Sequence, residues 1–112
     1  MSKSAKPNNQ IVVQPEMNLE SSTADTFRET LLKAVSRNHS DLVIDLSKVD
    51  TIDSMGLGVF IATYNTLAKR EKKLKVINAS HKIHSLFQTM GLTRRFKVDK
   101  AVHEVENSNI EK

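Results

Sequence analysis

The sequence has no cysteine and no tryptophan, only three glycines and two prolines, and an aromatic share of 4%. Without cysteine there are no disulfides, no thiolate metal centres and no thiol nucleophile. No apolar run approaches the ~20 residues that cross a bilayer, which excludes an integral membrane helix. The opening residues, Met1 to Asn9, lack the apolar stretch of a secretory signal, so the expected address is the cytoplasm. Repeats and low-complexity stretches are missing too. What is present is an ordinary globular balance: 112 residues, 38% hydrophobic and 27% charged, sufficient for one domain around one core.

Net charge is +4, from 17 Lys and Arg against 13 Asp and Glu. The cations gather in two clusters, Lys69-Arg70-Glu71-Lys72-Lys73-Leu74-Lys75 and Arg94-Arg95-Phe96-Lys97. The first falls where a helix should stop, and cations there complement the negative pole of the helix. Nucleic-acid binding would call for stacking aromatics or a groove-reading helix as well. Neither cluster supplies them, so no direct nucleic-acid partner is expected.

Residues 1 to 9 are small and polar and read as a loose tail. Gln10 to Gln14 is β-branched and short, a strand stopped by Pro15. Ser22, with Asp25 three residues on, resembles a capping box, and Ala24, Phe27, Leu31, Ala34 and Val35 then share one helical face. Asp41 to Leu46 is the strongest strand, apolar on both faces over Leu42 to Ile44, as in a covered parallel sheet. After a turn, Leu57, Phe60, Ile61, Tyr64, Leu67 and Ala68 recur at helical spacing. Leu74 to Ile77 is the next strand. Ser80 caps a third helix with Ile83, Leu86, Phe87 and Met90 as its stripe, and Gly91 is its left-handed stop. Phe96 to Val98 reads as a last strand, and Asp99 as the cap of a short final helix bearing Ala101, Val102 and Val105.

Strand and helix thus alternate strictly, which predicts an α/β domain of parallel strands joined by about four helices. The domain is expected over residues 10 to 106, with residues 107 to 112 as a C-terminal tail. A dinucleotide fold is excluded: the sheet is too small and no Gly-rich phosphate loop follows the first strand.

Enzyme constellations are thin. His81 and His84 lie three apart on a helix, but a two-histidine metal site needs a third ligand. Asp41, Asp45, Asp50 and Asp53 are expected to cluster near the exit of the central strand, where α/β proteins place ligands; magnesium there is conceivable, and turn or capping duty is commoner. Ser54 has no Gly-x-Ser-x-Gly elbow of the kind a serine hydrolase uses. No catalytic residue, metal or cofactor is therefore expected.

Asp53-Ser54-Met55-Gly56-Leu57-Gly58 stands apart. It joins a loop to an amphipathic helix, so Ser54 lies at or beside the N-cap with its hydroxyl toward solvent. Gly56 and Gly58 cost ~1 kcal/mol each against alanine in a helix. Either they serve local packing around an ordinary serine cap, or another surface approaches closely here. Met55, apolar in a polar loop, is either an anchor for that surface or a lid on the local core.

Asp45-Leu46-Ser47 followed by Ile52-Asp53-Ser54-Met55-Gly56-Leu57-Gly58 resembles the signature of STAS domains, and specifically of bacterial anti-sigma factor antagonists. The likeness runs through Thr23-Ala24-Asp25-Thr26-Phe27 and Phe87-Gln88-Thr89-Met90-Gly91-Leu92, and covers about residues 10 to 105. It implies a single STAS-like domain with a small, mixed, mostly parallel sheet of successive βα units. It further implies that Ser54 is phosphorylated by a partner, an anti-sigma factor with a histidine-kinase-like serine kinase fold. The unmodified form captures that partner, phosphorylation releases it, and a metal-dependent serine phosphatase restores capture. The contact would involve Asp53, Ser54, Met55, Gly56, Leu57 and Gly58. An alternative within the same resemblance is a regulator of biofilm, motility or secretion; small-ligand or nucleic-acid binding ranks lower. Two departures stand out. Many relatives carry Gly-x-Leu-Asp where this chain reads Met17-Asn18-Leu19-Glu20, and relatives usually open with a hairpin, for which only residues 1 to 9 are available.

Overall fold

The β-branched residues of the first apolar segment alternate, and the alternation is what the sheet uses. In the computed structural model, which describes residues 2–6, 10–37 and 40–101, five strands form one sheet. They are β1 (Ser2–Lys6), β2 (Gln10–Gln14), β3 (Asp41–Asp45), β4 (Leu74–Ala79) and β5 (Lys97–Lys100). Three helices intervene: α1 (Ala24–Arg37), α2 (Ser54–Lys69) and α3 (His81–Thr89), with a short 3-10 turn at Leu92–Arg94. The strands lie side by side in chain order; β1 and β2 are antiparallel and β2 to β5 parallel. The fold is therefore α/β with a mixed, mostly parallel sheet.

Period two along the strands selects the buried face: Ile11 and Val13 of β2, Leu42 and Ile44 of β3, Leu74 and Val76 of β4, and Val98 of β5 join one core. The helices close over it with Phe27, Phe60 and Phe87. The few aromatics are all spent here. Ring centroids follow one another from Phe27 to Phe60 at 5.4 Å, to Phe87 at 5.1 Å and to Phe96 at 6.1 Å, with Tyr64 at 5.8 Å from Phe96. Tilted and edge-on pairs at these spacings suit the quadrupoles of the rings. Val43 lies on the other face of β3, only 4% exposed and outside that core cluster.

Several expectations need correction. The stretch read as a loose tail places Ser2–Lys6 in β1, in register from Ser2 opposite Gln14 to Lys6 opposite Gln10. An edge strand is held by its backbone ladder and tolerates serine and lysine, so composition concealed it. Helix α1 begins at Ala24, preceded by Thr23 rather than directly by Ser22, and the Phe27 N–H donates to the Thr23 carbonyl at 3.0 Å. Along α2 the buried side chains include Val59 and Thr63, whereas Ile61 and Ala68 are exposed. Met90 at the end of α3 is exposed, while Ile83 and Phe87 are buried as the stripe predicts. Asp99 lies within β5 and pairs with Lys75 at 3.7 Å instead of capping a helix. The expected final helix beyond Ala101 falls outside the described residues.

The ends of α3 match their chemistry. Ser80 accepts from the Ile83 N–H at 3.1 Å, and Gly91 sits at φ 76°, left-handed as expected. Helix α2 ends differently: the Glu71 N–H donates to the Ala68 carbonyl and the Lys72 N–H to that of Leu67, a Schellman pair. The left-handed position is Glu71 itself, at φ 58°.

Candidate functional site

Ser54 follows the C-terminal end of β3 and is the first residue of α2. The N-cap is its neighbour Asp53, with extended backbone at φ −101°. One carboxylate oxygen of Asp53 accepts from the Met55 and Gly56 N–H groups at 2.9 and 3.1 Å. The other accepts from the Ser21 N–H at 3.0 Å. The first intrahelical bond runs from the Leu57 N–H to the Asp53 carbonyl at 2.9 Å. Capping falls to the acid, and Ser54, exposed, makes no side-chain hydrogen bond among the described residues.

A second loop holds this corner. The Leu19 N–H donates to the Thr51 carbonyl and the Asp53 N–H to that of Leu19, both at 3.0 Å, so residues 19 and 52 form a one-residue parallel bridge. The Asn18 side-chain oxygen accepts from the N–H groups of Asp50 and Thr51 at 2.9 and 3.2 Å, and Thr51 donates to Glu20 at 3.3 Å. Asn18, Leu19 and Glu20 thus clamp the turn ahead of Ser54; of the two departures from the Gly-x-Leu-Asp pattern, Met17 and Glu20, Glu20 is the one that takes part. Sequence reasoning noted the departures on either side but assigned Asn18 no role; an asparagine ahead of a predicted helix was the available signal.

The two glycines separate cleanly. A Cβ on Gly56 would lie 2.5 Å from the Leu19 carbonyl oxygen, so close backbone approach within the domain accounts for that glycine. A Cβ on Gly58 would meet nothing within 4 Å, and the residue is exposed. Met55 is 50% exposed, which makes it no lid on the core, while Leu57 points inward. Beside this corner, residues 50 to 52 and α3 enclose a groove of about 400 Å³ floored by Ile52, Ile83 and Leu86.

The four aspartates do not form one cluster. Asp41 starts β3 at the opposite edge and accepts from the Lys73 N–H at 2.9 Å. Asp45, at the exit of β3, accepts from Asn78, the Ser47 N–H and Gln14. Burial pushes its carboxyl upward, but the bonds from Asn78, Ser47 and Gln14 outweigh that and hold it below the ordinary carboxylate value. Among the described residues no group of three His, Asp or Glu is placed to hold a metal ion. Nor is any described helix long and apolar enough to cross a membrane.

Together the fold and this corner define a small α/β module that presents a serine at a helix start. The STAS domain family model matches residues 2–105, and the chain belongs to that family. An anti-sigma-B factor antagonist of Staphylococcus epidermidis is 31% identical over 84 residues, covering 75% of this chain and 77% of the relative. An anti-sigma factor antagonist from Mycobacterium paratuberculosis superposes with TM-score 0.76 at 22% identity, over 96% of this chain and 92% of that one. The Bacillus protein SpoIIAA in its phosphorylated form gives TM-score 0.69 at 16% identity, over 96% of each chain. Proteins of this antagonist class are regulatory binding modules.

Proposed function

We propose that this protein is a phosphorylation-switched anti-sigma factor antagonist, with Ser54 as the modified residue and no catalysis of its own. The observation that carries the reading is the separation of duties at the start of α2: Asp53 caps the helix and the Ser54 hydroxyl is left exposed and unbonded. Its partner is an anti-sigma factor with a histidine-kinase-like serine kinase fold, and a metal-dependent serine phosphatase reverses the modification. Support comes from relatives named as antagonists and from a fold shared with a protein solved in a phosphorylated form.

The contact surface consists of Ser54, exposed Met55 and the open notch at Gly58, with Asp53, Gly56 and Leu57 fixing their geometry. A phosphate on Ser54 adds about −1.5 to −2 charges, beside the Asp53 carboxylate, to a contact that must be desolvated. A loss of ~3 to 4 kcal/mol would weaken capture a few hundredfold. The test is affinity capture from the native cell with Ser54→Ala and Ser54→Asp as paired baits. An ATPase-fold partner retained by the alanine form and lost from the aspartate form is expected. Equal capture by both sinks the switch.

A further inference from the structure

The two basic clusters, unassigned by the switch, converge on one cavity at the N-terminal end of the sheet. β4 and β5 are parallel neighbours, and Lys75 lies directly across from Lys97 in their register. The first cluster leads into β4 and the second into β5, so the topology itself brings them together. Their cations rim a cavity of about 480 Å³ at the N-terminal ends of the strands, whereas Ser54 follows the C-terminal end of β3. That volume lies in the range of small-molecule sites.

The lining has two characters. Five cations, Lys72, Lys73, Lys75, Arg95 and Lys97, and a single carboxylate, Asp41, line it, with Lys75 and Lys97 on the sheet face that also carries Val43. Asp41 is already engaged by the Lys73 N–H, and of the five cations only Lys75 has an ion-pair partner among the described residues, Asp99 at 3.7 Å. Unpaired like charges around one concavity repel, and an anion would relieve them. The lining also has an apolar part, the partly exposed Tyr64 packed on Phe96, with the buried Leu42 and Leu74 behind. A bare inorganic anion would leave that surface wet, and a neutral hydrocarbon would leave the cations unpaired.

We propose that this cavity binds a small amphipathic anion, a phosphate or carboxylate carried on a flat or hydrocarbon body. The anion lies on the lysine and arginine rim and the body on the Tyr64 ring and its neighbours. A nucleic-acid strand fits less well. Phe96 is buried and Tyr64 packs against it, so the rings do not offer successive free faces to splayed bases. The site is independent of the Ser54 switch and does not rest on it.

The test is a titration of the full chain with 2-naphthyl phosphate, followed by calorimetry and by amide chemical shifts, against inorganic phosphate and 2-naphthol. Saturable binding at least tenfold tighter than to either half is expected, with shifts at the starts of β4 and β5 and in the last turns of α2. Arg95→Glu with Lys97→Glu, both exposed positions, should weaken it tenfold or more with an unchanged melting temperature. Lys72→Gln serves as the milder second variant, with a smaller loss in the same direction, and Ser54→Asp should bind as the parent does. Undiminished binding by both rim variants, shifts confined to the start of α2, no saturation at millimolar probe, or displacement by equimolar duplex DNA would each overturn the assignment.

Discussion

The same substitution, glycine to alanine, should have opposite effects at two positions two residues apart on α2. At Gly56 the new methyl would sit 2.5 Å from the Leu19 carbonyl oxygen and 3.0 Å from the Ile52 side chain. Leu19 cannot yield, because its N–H and carbonyl are both bonded to the β3–α2 loop. Overpacking of this kind costs ~1 to 3 kcal/mol, and rigid backbone places it near the top of that range. The intrinsic helix gain of alanine over glycine, ~1 kcal/mol, offsets part, leaving Gly56→Ala less stable by about 2 kcal/mol. At Gly58 the methyl meets nothing, so only the helix gain remains and the variant should be more stable by ~0.5 to 1 kcal/mol. Near 4 °C per kcal/mol, calorimetry should show Tm falling by roughly 8 °C in one case and rising by roughly 2 to 4 °C in the other. Urea titration gives the same signs as midpoint shifts at constant slope. Shifts of the same sign in the two variants would refute the account of Gly56. Capture of the anti-sigma partner adds a second reading: if a partner backbone fits the notch, Gly58→Ala binds at least tenfold more weakly despite its greater stability.

Glu71 occupies a left-handed position that glycine usually takes, so Glu71→Gly should stabilise the fold by ~1 kcal/mol, read as a rise in the urea midpoint. Asp53→Ala removes acceptors for three backbone N–H groups and should cost ~1 to 2 kcal/mol, with Asp53→Asn recovering most of it. Because the folded-state pKa of Asp45 is depressed, its stabilising contribution is complete above the unfolded value and is lost as pH falls through the folded one. Unfolding curves between pH 7 and pH 2 should therefore show a shallower acid-side loss in Asp45→Asn than in the parent, and parallel curves would contradict the sign.

Where an element packs against one neighbour, its residues announced it. The α1 stripe of Ala24, Phe27, Leu31, Ala34 and Val35 is the set the structure buries. Helix α2 defeated the same reasoning because it is apolar on most sides. It packs against α1 and lies over β4, so burial spreads to Val59 and Thr63 and a single period no longer identifies the covered face. The strand at Ser2–Lys6 was illegible for another reason: it owes its place to ladder bonds that any residue but proline can donate. At the candidate site, sequence reasoning singled out a hexapeptide but left its two glycines alike. Distinguishing them requires the location of the Leu19 carbonyl, a long-range fact that local spacing does not contain.

The position of Ser54 one residue after the cap, rather than at it, determines what a phosphate can do there. Were serine the cap, modification would convert a structural acceptor into a bulky dianion and change the helix start. Here Asp53 already holds the Met55 and Gly56 donors, the Leu57 N–H belongs to the helix ladder, and the Asp53 N–H is bonded to Leu19. Among the described residues, the N–H of Ser54 itself is the first-turn donor still without an intramolecular acceptor. A phosphate therefore gains little from the helix terminus and is repelled by the neighbouring carboxylate, which keeps it toward water. A modification that neither satisfies buried donors nor breaks existing bonds leaves the domain folded as before. Under the proposed switch its effect would fall on a partner surface pressed against Met55 and Gly58, as a switch between two binding states of one fold requires.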